Sequence, residues 1–335
     1  MRAFHLTGPS LDSLLRVDAP TPSPAPGEVL IRLRAASLNY LDLMVARGQF
    51  PAPAYPFIPG SDGAGDIVAL GSDITGWAVE DRVAPGLIVD WASGLLTASA
   101  GKRLRGVTVP GSLAECVAVP STALVRIPDH VSYLEAATLP TAGTTAWNAI
   151  IAGRVRPGST VLLLGAGGVS LFALQFAKAA GARVIITSSS DAKLERARAL
   201  GADETINHQR ISNWDEAVLA MTGGDGVDLV VETVGTATFA RSLNAVAIGG
   251  TIFVVGLLSG YEITLPVIPI LLKTVTIRGN NTGSTADFAD AMRALATNRI
   301  KPVIDRAFAF DDAPAAYRFL EGGGHFGKVA IDFAL

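Results

Sequence analysis

The chain has 335 residues, of which 49% are hydrophobic and 17% charged, and 27 basic against 30 acidic side chains leave a net charge of −3. That length exceeds one ordinary core and predicts two domains, while the absence of a basic run interleaved with aromatics, of a membrane-length apolar run and of a signal-peptide core in MRAFHLTGPS argues against nucleic-acid and membrane partners. Cys116 is the single cysteine, so no internal disulfide can form and a reducing, cytoplasmic setting is expected.

Residues 1–125 read as short strands broken by glycine and proline. TPSPAPGE is a proline-rich turn into EVLIRLRAASLN, which alternates apolar and polar as a half-buried strand does. DGAGDIVALGSD and GSLAECVAVP have the same pattern, so an antiparallel, barrel-like β domain is expected. Near Ser132 the character changes, with Ser132 and Glu135 spaced as a capping box. Over residues 126–270 strands then alternate with helices. STVLLLG leads into GVSLFALQFAKAAG, ARVIITS into DAKLERARALGA, and GVDLVVETVG and GGTIFVVG are two more strands. Continuous apolar strands with helical crossovers predict a parallel sheet covered on both faces, an α/β doubly wound domain. Residues 271–335 hold a last strand, TVTIRGNN, a helix in ADFADAMRALATNRI, and the strand-like KPVIDRAFAF and FGKVAIDF, which are expected to return to the first domain.

The stretch VLLLGAGGVS carries the clearest chemical signal. Gly165, Gly167 and Gly168 follow a buried strand and open a helix, the setting in which glycines let a pyrophosphate approach the backbone at a helix N-terminus. Val169 and Ser170 complete the turn, Ser170 standing where a third glycine is usual; its hydroxyl is a further phosphate donor in this reading. A plain βα turn built of small residues is the alternative. At the end of the next strand an acid would chelate the adenosine ribose and favour NAD, but the chain reads Ser188, Ser189, Ser190. Ser188 and Ser189 repel no 2′-phosphate, and Lys193, Arg196, His208 and Arg210 are near in sequence, so NADP is expected over NAD, with NAD still possible.

Taken together, AASLNYLDLMVARGQF, FIPGSDGAGDIVALGSDITGWAVEDRV, GSLAECVAVP, AATLPTAGTTAWNAI, GAGGVSLFALQFAKAAGARVI, ALGADETIN and HFGKVAIDF resemble the medium-chain dehydrogenase/reductase family on its quinone-oxidoreductase-like side. The resemblance implies a GroES-like catalytic domain, a Rossmann domain, a cleft between them, hydride transfer with a nicotinamide, and a homodimer. Zinc members of the family place cysteine, histidine, glutamate and cysteine where this chain has Asn39, Ser61, Asp62 and about Thr141. One cysteine and four scattered histidines do not make the usual zinc set, so the expectation is no zinc and no metal ligand.

Hydride transfer needs a positioned nicotinamide and a donor toward the oxygen that gains charge. By resemblance Asn39, Tyr40 and Asp42 line the catalytic cleft. Asn39 is expected to hydrogen-bond the nicotinamide ribose or the substrate oxygen, Tyr40 to cover the ring or donate, and Asp42 to order the loop or move a proton. Thr145, Val234, Val255, Gly256, Leu257, Asn280, Asn281 and Lys328 are the remaining cofactor positions implied, Lys328 either on the phosphates or merely capping its strand. The expected activity is NADPH-dependent reduction of a quinone or activated enone. An NAD(P)-dependent alcohol dehydrogenase for aldehydes or small ketones, and a non-catalytic NADPH-binding protein, are the alternatives.

Overall fold

The computed structural model describes residues 1–50 and 54–335 and divides the chain into two units, residues 1–144 with 282–335, and residues 145–281. In chain order the first unit opens with β1 (Arg2–Leu6), β2 (Leu14–Asp18), β3 (Glu28–Leu38), α1 (Tyr40–Ala46), β4 (Asp62–Leu70), β5 (Arg82–Pro85), β6 (Cys116–Pro120), β7 (Leu124–Arg126) and α2 (Tyr133–Ala137). A wider, π-type turn over Leu139–Gly143 leads into α3 (Thr144–Ala152), on which the chain passes into the second unit.

The second unit alternates strictly. Its elements are β8 (Thr160–Leu164), α4 (Gly168–Ala179), β9 (Arg183–Ser188), α5 (Asp191–Ala199), β10 (Glu204–Asn207), α6 (Trp214–Met221), β11 (Val227–Glu232), α7 (Phe239–Ala245), β12 (Val246–Val254), α8 (Val267–Lys273) and β13 (Thr276–Gly279). The chain then returns to the first unit through α9 (Thr285–Thr297), β14 (Ile304–Ala309), α10 (Ala313–Glu321) and β15 (Lys328–Asp332).

The first unit is built on β3. The first half of this strand alternates because one face is covered, with Ile31 and Leu33 buried and Arg32 and Arg34 exposed. The second half, Ala35–Leu38, is buried throughout because α2 packs on it and β4 and β15 flank it. On one edge β3 pairs with β4; on the other its first half pairs with β6 and its second half with β15, all antiparallel. Phe4, Leu38, Leu43, Phe310 and Tyr317 belong to the main core, and α10 packs against α1 in it. Cys116, the single cysteine, begins β6 and is half-buried.

The six parallel strands of the second unit run in the order β10-β9-β8-β11-β12-β13. Helices cover both faces, so β8 has no polar side to show, and Val161, Leu162 and Leu163 are 0% exposed. Burying each such side chain contributes about 1.5–3 kcal/mol, which fixes the strand that carries the glycine turn. The strand order reverses between β8 and β11, and in open parallel sheets the ligand crevice lies beyond the carboxyl ends of the strands at that reversal.

The boundary expected near residue 125 falls at 144 instead. Periodicity changes where the helices begin, but α2 and the turn after it pack on β3 and β4 and so remain with the β domain.

Candidate functional site

In the second unit the reversal point is lined by two turns. After β8, Gly165 takes φ +75°, a left-handed conformation that favours glycine. Gly167 is different: at φ −84° and ψ −178° any residue could stand there, and a Cβ built on it would meet no atom within 4 Å. Neither backbone nor packing requires a glycine here, so the open space above it is a cradle that a side chain would fill. Gly168 and Val169 begin α4, whose first N–H groups are unpaired within the helix and point at that space. Ser170 does not face the cradle. It is 1% exposed and its hydroxyl donates to the Leu164 carbonyl at 2.8 Å, tying helix to strand. The third position therefore serves packing, and the expected phosphate contact from this hydroxyl is not made.

The second turn follows β11 and depends on Glu232, which sequence reading passed over. Its carboxylate is fully buried and accepts from the N–H groups of Val234 and Gly235 at 2.9 and 3.0 Å and from the Thr238 and Ser242 hydroxyls. Val234 is thereby held half-exposed at the crevice. Val255 and Gly256 lie at the end of β12 as expected, but their N–H groups donate to the Glu232 carbonyl at 2.9 and 3.0 Å and are not available to a carboxamide. Leu257 follows, half-buried. The Asn280 amide donates to Thr145 Oγ1 at 3.3 Å, which unites two positions far apart in sequence, while Asn281 is exposed.

Beyond β9, Ser188 is buried and its carbonyl accepts from the His208 N–H at 3.1 Å; Ser189 is exposed. Ser190 caps α5 by accepting from the Lys193 N–H, so the serine run is partly a helix start. Lys193 is half-buried on the first turn of α5, His208 is exposed, and Arg210 is ion-paired with Asp191.

The polar corner of the first unit is set by register. In the antiparallel β3–β15 pair Val329 faces Leu38, so the next position brings Lys328 beside Asn39; in the β3–β4 pair Ser37 faces Asp62. Asn39 Nδ2 donates to Ser61 Oγ at 3.0 Å and to Asp62 Oδ2 at 2.8 Å, and its Oδ1 accepts from Lys328 Nζ at 2.6 Å. Its amide is thus engaged at both ends, and the expected contact to substrate or ribose is not open to it as it stands. Asp42 is 0% exposed and accepts from the N–H groups of Asn39 and Ser61 at 2.7 and 2.8 Å and from Ser61 Oγ at 3.0 Å. Burial, with Asp62 nearby, raises its pKa to about 6 although these donors oppose the shift. Tyr40, at 38%, is the member of the predicted trio that reaches the surface.

Asp62 and Thr141, named from sequence only as positions where zinc members carry ligands, complete this corner together with Arg105, which was not singled out. Asp62 accepts from Thr141 Oγ1 at 2.7 Å as well as from Asn39, and from Ser37 Oγ at 3.3 Å. Thr141 lies in the π-type turn, a backbone irregularity frequent at functional sites, and Pro140 just before it was the available signal. Arg105 is also fully buried and donates to Ser112 Oγ at 2.7 Å; burial lowers its pKa to about 10 against the pull of Asp62. Lys328, implied above either on the phosphates or merely capping its strand, lies inside this unit with 3% exposure, and burial lowers its pKa against the pull of Asp62 and Asp42.

Residues 168–297 match the family profile of zinc-binding dehydrogenases, and residues 25–129 match the alcohol dehydrogenase GroES-like domain. A zinc-type alcohol dehydrogenase-like protein of Schizosaccharomyces pombe is 41% identical over 314 residues, 91% of each chain. The chain belongs to the medium-chain dehydrogenase/reductase superfamily. This medium-chain dehydrogenase/reductase is an oxidoreductase of the alcohol dehydrogenase-like type, with the GroES-like and Rossmann domains expected. It is also 32% identical to an acryloyl-coenzyme A reductase of Sulfurisphaera tokodaii, over 99% of each chain. Among solved structures, a Sinorhizobium meliloti protein named as an alcohol dehydrogenase superposes with a TM-score of 0.93 at 39% identity, covering 99% of this chain and 98% of that one. A cobalt- and zinc-bound thermostable alcohol dehydrogenase of Pyrobaculum aerophilum superposes with a TM-score of 0.86 at 30% identity, covering 99% of each.

These comparisons overturn the expectation of a chain without zinc. The matched profile is that of zinc-binding dehydrogenases, the fission-yeast relative is named zinc-type, and a similar structure holds the metal. Zinc is a possible cofactor of this medium-chain dehydrogenase/reductase. The side chains in place do not by themselves form a ligand set for it: among the described residues no three His, Cys, Asp or Glu side chains converge, and the Lys328 ammonium stands 3.7 Å from Asp62.

Proposed function

We propose that this medium-chain dehydrogenase/reductase uses NADPH to deliver hydride to an activated enone or quinone. The observation that carries the cofactor assignment is the unfilled space above Gly167, at the strand reversal and in front of the α4 N-terminus. A diphosphate fits there by the charge and hydrogen-bonding of the exposed N–H groups. The preference for NADPH is supported by the end of β9, where Ser188 and Ser189 stand in place of an acid and Lys193 opens α5. The acceptor class is supported by the acryloyl-coenzyme A reductase relative, whose named substrate is an α,β-unsaturated thioester. A nicotinamide nucleotide held at the Gly165–Gly168 turn would supply hydride to the β-carbon of such an acceptor, and water would supply the proton for the α-carbon. The enone carries its own electron sink, so less polarisation is asked of the protein than a simple ketone would need.

The test is turnover of NADPH and NADH with an enoyl thioester, a quinone and an aldehyde, with zinc measured on the same preparation so that activity is assigned to the loaded or metal-free chain. The expected result is NADPH oxidation with kcat/KM for an enone or quinone above that for the aldehyde by about tenfold or more. Aldehyde preference would favour the alcohol dehydrogenase reading that the names of several relatives carry. Nucleotide binding without any turnover would leave a non-catalytic binding protein.

The same reading includes a homodimer. β13 is an edge strand whose four residues are all exposed, and α8 just before it exposes Val267, Ile268, Leu271 and Leu272 at 65–74%. An unpaired edge beside an apolar helix face is a surface that a second copy would cover.

A further inference from the structure

Lys328 is a buried cation 289 positions away from the residue it touches most closely. Its Nζ donates to the Leu38 carbonyl at 2.8 Å and to Asn39 Oδ1 at 2.6 Å, and stands 3.7 Å from Asp62 Oδ2. A carboxamide has an accepting end and a donating end, and rotation by half a turn exchanges them. An ammonium has only hydrogens to offer, so the end of Asn39 that meets Lys328 must be its oxygen. The Nδ2 hydrogens are then directed at Ser61 and Asp62, and Asp62 in turn holds the Thr141 hydroxyl. The same ammonium ties down the carbonyl of Leu38, the last residue of β3. Leu38 and Asn39 immediately precede Tyr40, the exposed first residue of α1.

We propose that Lys328 is a positioning residue for the reaction, not a nucleotide ligand: it fixes the Asn39 carboxamide in one of its two orientations and pins the β3–α1 corner from which Tyr40 projects. The inference rests on the functional reading above together with the family resemblance, which sets Asn39 and Tyr40 at the catalytic cleft. A flipped amide would turn its oxygen toward the Asp62 carboxylate, and two accepting groups would face each other without a hydrogen between them. Lys328 makes that arrangement doubly unfavourable by presenting hydrogens to a donating NH2 group.

The experiment is a double-mutant cycle on the full chain with Lys328→Met, Asn39→Ala and the pair, read as kcat, KM for NADPH, KM for the acceptor and the unfolding midpoint. Lys328→Met is expected to lower kcat by about tenfold while KM for NADPH stays within about twofold. In the Asn39→Ala background the same change should cost about threefold less than in the parent, because only the Leu38 carbonyl is left for Lys328 to act through. A rise in KM for NADPH with kcat unchanged would identify a phosphate ligand and overturn the proposal, as would effects that simply multiply. If Lys328→Met does not fold, Lys328→Gln, which keeps a donating amide at shorter reach, takes its place in the cycle. A wild-type chain that reduces none of the acceptors would remove the functional reading. The coupling would still be visible in unfolding midpoints, where non-additive shifts support the Lys328–Asn39 link and additive shifts refute it.

Discussion

At Asp42 burial and hydrogen-bond donors compete over a single carboxylate. It begins as an N3 acid on α1, accepting from the Asn39 N–H, and Ser61 adds two more donors. Full burial wins over those donors and lifts its pKa from 3.8 to about 6. The folded protein therefore holds this proton more tightly than the unfolded chain does. Between pH 4 and 6 the native state binds more protons, so stability falls as pH rises, and the cost of the buried charge is fully present above about pH 6. The shift from 3.8 to about 6 corresponds to about 3 kcal/mol at most. An Asp42→Asn variant should show a flatter dependence of unfolding midpoint on pH than the parent over this window; parallel curves from pH 4 to 7 would refute the assignment. Tyr317 lies in the same core, its hydroxyl raised well above the ordinary value by burial and by Asp42, so it stays protonated across this window.

At the scale of elements, the turn between β8 and α4 separates two reasons for glycine. Gly165 is required by its own backbone, whereas Gly167 is compatible with alanine in both conformation and space. Gly167→Ala should accordingly leave the unfolding free energy within about 0.5 kcal/mol of the parent. The added methyl group would occupy the place assigned to the diphosphate, so the dissociation constant for NADPH should rise by about tenfold or more, measured by calorimetry. Unchanged affinity would mean that the nucleotide does not lie against this turn. The sequence was a good guide here because strand, glycines and helix are contiguous, and each signal is local. It was a poorer guide at Ser170, Val255 and Gly256, where a plausible donor was present but already committed to Leu164 or Glu232. Whether a donor is free depends on its neighbours in space, which spacing along the chain does not report.

For the molecule as a whole, the exposed face of α8 and the open edge of β13 give a prediction about assembly. Leu271→Glu places a charge in the middle of that apolar face and should shift the protein from twice its 34.6 kDa chain mass to a single chain in light scattering. A parent already monomeric at micromolar concentration would end the dimer reading. Among the described residues no helix is long and apolar enough to cross a membrane. Zinc belongs to this scale too, since the comparisons that point to it concern the family, while the expectation against it was argued from single residue types.

The sequence by itself determined the two periodicities, the β-rich first part, the parallel α/β second part and the glycine turn from strand to helix, because each is written in neighbouring residues. The antiparallel register that sets Lys328 beside Asn39, the placement of Asp62 against Ser37 and Thr141, and the engagement of both ends of the Asn39 amide were decided only by the tertiary structure. The physical reason is that strand pairing fixes which distant residues meet, and a buried polar group takes its role from the partner it finds there.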